Sequence, residues 1–129
     1  MRSKWLNRTI MIGPYLTLCT TEEEFAHVLK RLKIDEPIPF HAAAGSGATT
    51  HTIHDTRDGK TICIVTLNAK STDPVAVAAM LAHEAYHVWE SHLECIGETF
   101  AGSETTAYGI QNITYELFDE WMKRQGGTP

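Results

Sequence analysis

Several common signatures are missing from this 129-residue chain, and each omission narrows its class. No apolar run approaches the ~20 residues that cross a bilayer, so no membrane span is expected. The charged stretch Met1 to Arg8 is followed by no apolar h-region and no cleavage site, which argues against a secretory leader. Cysteine is sparse: Cys19, Cys63 and Cys95 lie far apart and form no C-x-x-C pair. An odd, scattered count provides no disulfide framework and fits a reducing compartment. Cys63, in an apolar strand, reads as a small core residue. Basic charge is also short, with 11 Lys and Arg against 16 Asp and Glu and a net charge of −5. With no basic run to offset it, that balance argues against nucleic acid as the main partner. Lys30, Arg31 and Lys33 form the one small basic cluster and read as the exposed end of a helix. Gly45-Ser46-Gly47 is too short for a phosphate-binding fingerprint and precedes no helix. No internal repeat or linker divides the chain. The expectation is one soluble, cytoplasmic α+β domain over residues 1–129.

What is present reads clearly in order. Gly13-Pro14 breaks the apolar stretch from Thr9, so a first strand is expected from about Tyr15 to Cys19. Thr20 or Thr21 then caps a helix with an acidic first turn and an apolar stripe of Phe25, Val28, Leu29 and Leu32. Pro37 and Pro39 end it. Two further strands follow, Thr49 to Thr56 and Ile62 to Leu67, with Asp58-Gly59 as a two-residue hairpin turn. Centring on that turn makes Asp55 face Ile62, His54 face Cys63 and Ile53 face Ile64. The second of these strands is apolar on both faces, as an interior strand would be. The first is mostly threonine and histidine and reads as a polar edge strand, open to an extended peptide partner by strand addition over 49–56.

The stretch from Pro74 to Trp89 organises the rest. Ser71, Thr72 or Asp73 can supply its N-cap, and Pro74 suits the first helical position. Its residues are apolar on all sides, which predicts a buried helix. Only His83, Glu84 and His87 can ionise near neutral pH within it. Buried carboxylates and imidazoles are normally paired or metal-bound. Their order, H-E-x-x-H, sets the histidines at i and i+4 on one face with Glu84 beside them, which is a zinc site in outline. A buried His–Glu hydrogen-bond network is the alternative.

A hydrolytic zinc commonly takes three protein ligands and leaves one position to water. Glu90 stands where the metzincin pattern needs glycine, and Leu93 where it needs histidine. Glu98 and Glu104 remain as third ligands. Glu98 lies in the connection that bears Gly97 and Gly102. Glu104, favoured of the two, opens a last helix over residues 104–124, with Tyr108 one turn further and Gln111 beyond it on the same side. An acidic residue at a helix start also needs no ligand role to be there. Ala107, Ile110, Ile113, Leu117 and Trp121 give this helix its apolar face, and Gly126-Gly127 stop it before a frayed tail.

His-Glu-Ala-Tyr-His at 83–87, followed by the segment from Glu104 to Gln111, resembles the gluzincin arrangement of zinc metallopeptidases. It looks more closely like compact phage- or prophage-encoded proteins with such a motif pair. The resemblance covers about Thr49 to Trp121. It implies a small zincin-like metal-binding domain: a roughly three-stranded sheet with a polar edge, packed on an N-terminal helix, the motif helix and a C-terminal glutamate helix. It further implies one zinc ion on His83, His87 and Glu104, with Glu84 as general base, in a bacterial host cytoplasm if phage-encoded. Nothing here resembles the additional domain that closes the cleft of large gluzincin peptidases.

On this reading the activity is zinc-dependent hydrolysis of an amide, most simply a peptide bond. Tyr108 is the candidate second donor to the oxyanion, with His54 or His51 behind it; packing is the other reading of Tyr108. His27, His41 and His92 read as surface or loop residues. The rival is a non-catalytic, zinc-stabilised phage structural or interaction protein. Against it stands Glu84, since a structural site needs no general base.

Overall fold

The computed structural model describes residues 3–6, 13–41, 47–55, 59–68 and 70–126. The elements are β1 (Tyr15–Cys19), α1 (Glu22–Arg31), β2 (Ala48–Asp55), β3 (Lys60–Leu67), α2 (Pro74–Cys95) and α3 (Ser103–Gly126). They form an α+β domain with one mixed sheet in the order β1-β3-β2, in which β1 runs parallel to β3 and β2 antiparallel to it.

Side-chain alternation along β3 divides the interior. Cys63, Val65 and Leu67 face one way and join Val77, Leu81, Val88 and Trp89 of α2 with Ile113, Leu117 and Trp121 of α3. Ile62 and Ile64 face the other way, onto Phe25, Val28 and Leu29 of α1. The sheet is therefore a middle layer, with α1 on one face and the α2–α3 pair on the other. β3 is interior, as its apolar run predicts. Among the described residues β2 is an edge strand, from Ala48 to Asp55, and Thr56 lies outside them.

Local signals explain most boundaries. The Thr21 side chain accepts from the Glu24 N–H at 3.1 Å, and the Glu24 carboxylate accepts from the Thr20 N–H at 2.8 Å, which fixes the start of α1. α1 ends where Lys33 takes a φ of 59°, with Lys33 N–H bonded to Lys30 O and Ile34 N–H to Leu29 O. That pair of bonds is a Schellman ending. Asp73 caps α2 by accepting from Val75 N–H, with Pro74 in the first turn.

Two expectations are corrected. The hairpin register lies two residues from the one centred on Asp58-Gly59: Asp55 pairs with Lys60, His54 with Thr61 and Ile53 with Ile62. Gly59, at φ 73°, closes a longer turn through its N–H to Asp55 O, so the loop spans four residues instead of two. A slip of two keeps every side chain on its expected face. The motif helix, in turn, neither ends at Trp89 nor is buried all round. It runs to Cys95 and stops where Gly97, at φ 74°, allows a second Schellman ending through Gly97 N–H to Glu94 O and Glu98 N–H to Leu93 O. Only one stripe of α2 is buried; Val75, Ala79, His83, Tyr86 and His87 face solvent.

α3 turns back along α2 at close range, because a Cβ at Gly109 would overlap the Trp89 ring. Its far end is held by Arg124, whose guanidinium donates to both oxygens of Glu24, to Glu120 Oε2 and to Leu18 O at 3.0–3.1 Å. Gly127 to Pro129, read from the sequence as a frayed tail, lie outside the described residues. Among the described residues no helix is long and apolar enough to cross a membrane.

Candidate metal and catalytic cleft

The cleft lies between α2 and the edge strand β2. Because side chains alternate along β2, Thr50, Thr52 and His54 reach α2, while His51 turns to the opposite face of the sheet. Each of the three meets α2 in turn. Thr50 Oγ1 donates to Glu84 Oε1 at 2.7 Å, Thr52 Oγ1 lies 3.3 Å from Ser91 Oγ, and His54 Nε2 lies 3.5 Å from Glu94 Oε1. His83, His87 and Glu90 complete the lining of a cavity of about 640 Å³.

Glu84 is the buried member of the motif, at 6% exposure. It faces the strand, where the Thr50 hydroxyl satisfies one carboxylate oxygen and also approaches the Glu84 carbonyl at 3.3 Å. A buried carboxylate with a single short hydroxyl bond is held in one orientation yet keeps acceptor capacity toward the cavity. That is what a base acting on a bound water needs.

The histidines are placed differently from expectation. They lie side by side, ring centroids 5.2 Å apart, but on the solvent-facing flank of α2, with the His87 side chain 47% exposed. The cost of burying imidazoles is therefore not what constrains them. What fixes His87 is Glu90, whose carboxylate lies 3.1 Å from Nδ1. A carboxylate only accepts, so in the neutral ring Nδ1 carries the proton and Nε2 keeps its lone pair. Carboxylate-oriented imidazole is the arrangement of a histidine metal ligand. Three carboxylates (Glu84, Glu90, Glu94) and no lysine or arginine line the cavity, so its field favours a cation.

The remaining candidates are not drawn into this cleft. Glu104 is exposed in the first turn of α3. It lines no part of the cleft that His83 and His87 share. Among the described residues no group of three His, Cys, Asp or Glu side chains is close enough to hold a metal. The residues fit zinc through two imidazoles and an oriented base, without an assembled third ligand. Tyr108, 59% exposed, lines no part of the cleft. Glu98 lines a separate cleft between α2 and α3.

His51 packs on Phe25 with ring centroids 4.8 Å apart, and its Nε2 lies 2.8 Å from Phe40 O. Burial pushes its pKa below the ordinary histidine value, outweighing the opposing effect of the bond to Phe40. It is a packing residue of the α1 layer. His92 is neither fully exposed nor in a loop: it sits half-buried in α2, packs at a tilt against Trp89 and bonds through Nδ1 to Gly13 O at 2.9 Å. Sequence reasoning missed Thr50, Glu90 and Glu94. The period-two alternation of β2 could have singled out Thr50, and continuing α2 to Gly97 would have added Glu90 and Glu94 to the histidine side. No family model, curated protein or solved structure matches the chain.

Proposed function

We propose that the chain is a zinc-dependent hydrolase of peptide bonds, a small zincin-like peptidase. The observation that carries the reading is Glu84, fixed by Thr50 at 2.7 Å on the wall of the cleft that His83 and His87 line together. His83 and His87 are the two imidazole ligands of the proposal, and Glu104 is the third donor that the gluzincin resemblance implies. Zinc held there would polarise a scissile carbonyl and lower the pKa of a water. Glu84 accepts a proton from the attacking water at the oxygen not held by Thr50 and passes it to the leaving amine. Glu90 favours the neutral His87 tautomer with the proton on Nδ1, which leaves Nε2 to the metal. His54, which lines the cleft, can donate to the developing oxyanion, a role for which Tyr108 is less well situated. Among the described residues β2 is the edge strand beside the cavity, a position that suits an extended peptide joining by strand addition.

One observation favours the second reading, a non-catalytic metal-binding interaction module: Glu104 is not gathered with the histidine pair. A single experiment separates the two. Zinc stoichiometry and cleavage of a mixed peptide library are measured for the wild type, Glu84→Gln and His83→Ala. The hydrolase reading expects Glu84→Gln to retain zinc and lose cleavage, and His83→Ala to lose both. Wild-type protein that holds zinc but cleaves nothing supports the module; protein that holds no stoichiometric zinc removes both readings.

A further inference from the structure

α2 and α3 enclose a second cleft, of about 840 Å³, between the C-terminal half of α2 and the N-terminal half of α3. Leu93, Ile110, Tyr86 and Phe100 make its surface largely apolar, and Phe100 is 77% exposed. Large apolar side chains gathered around a concave surface mark a place where something docks. The charge at this one is of a single sign: Glu90, Glu94 and Glu98 line it, and no lysine or arginine does. Trp89 lines it too, and its Nε1 is a buried N–H with no partner among the described residues. Glu90 and Glu94 also line the histidine cleft, so the two adjoin.

We propose that this second cleft binds a cationic amphipathic segment of a partner polypeptide, one carrying a large apolar side chain with a lysine or arginine beside it. The apolar side chain covers Phe100, Leu93 and Ile110. The neighbouring cation meets Glu98, whose charge would otherwise be desolvated without compensation. An acidic partner is repelled by the three carboxylates. A second copy of this chain, with its own net charge of −5, would bring acidic surfaces together. Bound beside Glu90 and Glu94, the segment lies at the mouth of the histidine cleft. The docking inference stands without the hydrolase reading.

Titration calorimetry with a blocked peptide of alternating lysine and phenylalanine tests it. The wild type binds this peptide, more weakly as salt rises, and does not bind the same peptide with glutamate for lysine. Phe100→Ala and Glu98→Lys, both at exposed positions, each weaken binding at least tenfold with unchanged melting temperature. His83→Ala, which removes a proposed metal ligand, binds as the wild type does, so failure of the metal site and failure of the docking site are distinguishable. No binding of the lysine peptide, equal binding by Phe100→Ala and Glu98→Lys, or equal binding of the glutamate peptide would each overturn the proposal. So would a stable dimer in sedimentation that Phe100→Ala dissociates, which would assign the cleft to a second copy.

Discussion

Two regions of this protein concentrate charged side chains, and they differ in whether the charges are already answered. Around Arg124 every strong donor has an acceptor. The side chains of Arg124, Glu24 and Glu120 are only 3%, 8% and 8% exposed, and Ser3, Lys4, Thr20 and Leu18 O supply further partners. The cluster links α1, on one side of the sheet, to α3 on the other, past Leu18 of β1. In the α2–β2 cleft, by contrast, each of the three glutamates meets one hydroxyl or imidazole, no lysine or arginine lines the wall, and the histidines face solvent. A closed set of ion pairs holds a fold; an open one is disposed to receive a ligand. The contrast suits the first region to structure and the second to the proposed chemistry.

The largest expected effect lies in activity. Glu84→Gln lowers peptide cleavage by about 10²–10⁴-fold, the usual range for losing a general base, with melting temperature changed little. If cleavage persists, the cleft loses its claim to chemistry. Arg124→Met should show the reverse pattern. Stranding Glu24 and Glu120 costs about 3–5 kcal/mol, which urea denaturation reads directly, while zinc uptake by the folded fraction is retained. A change below about 1 kcal/mol would erase the distinction between the regions.

Thr50→Val sits between the two. It removes the hydroxyl that satisfies a buried Glu84 oxygen, so about 1–3 kcal/mol of stability is lost, and kcat falls more than KM changes because the base is no longer oriented. His83→Ala, at an exposed position, shifts metal-free stability by no more than about 0.5 kcal/mol, although zinc binding is lost.

The smallest effect is a pH dependence that belongs to neither region. His51 is kept neutral by burial, its folded pKa below 6.5. The unfolded ring takes up a proton near its ordinary pKa, so between the two values the unfolded state binds more protons. Stability is therefore full above pH 6.5 and falls as pH drops through that window. His51→Gln, which can still donate to Phe40 O, should flatten this part of the profile in denaturation curves at stepped pH.

Local grammar made much of the fold legible. β1 begins after Gly13-Pro14 as the proline requires, Thr21 and Asp73 are the caps, and the alternation of apolar and polar residues separates the interior strand from the edge strand. The errors fall where a local signal was weighed without its neighbours. Trp89 closes the apolar run, but nothing breaks the helix before Gly97, so Glu90, Ser91 and Glu94 continue along the cleft. An apolar composition said buried all round, yet a helix packed on one sheet and one partner helix keeps a solvent face, and that is where the two histidines stand. The Arg124 cluster was illegible for a different reason: Arg124 and Glu24 are 100 residues apart, and no periodicity links them. Glu104 was read from its distance along the chain, which does not fix where α3 sets it beside α2.

The claim that the open cleft is a metal site is tested most directly by anomalous diffraction at the zinc edge from crystals of the full chain grown with zinc. One strong peak is expected beside the rings of His83 and His87, with density from a third donor that identifies Glu104 or another residue. No peak at the histidine pair, or a peak only at other sites, would contradict it.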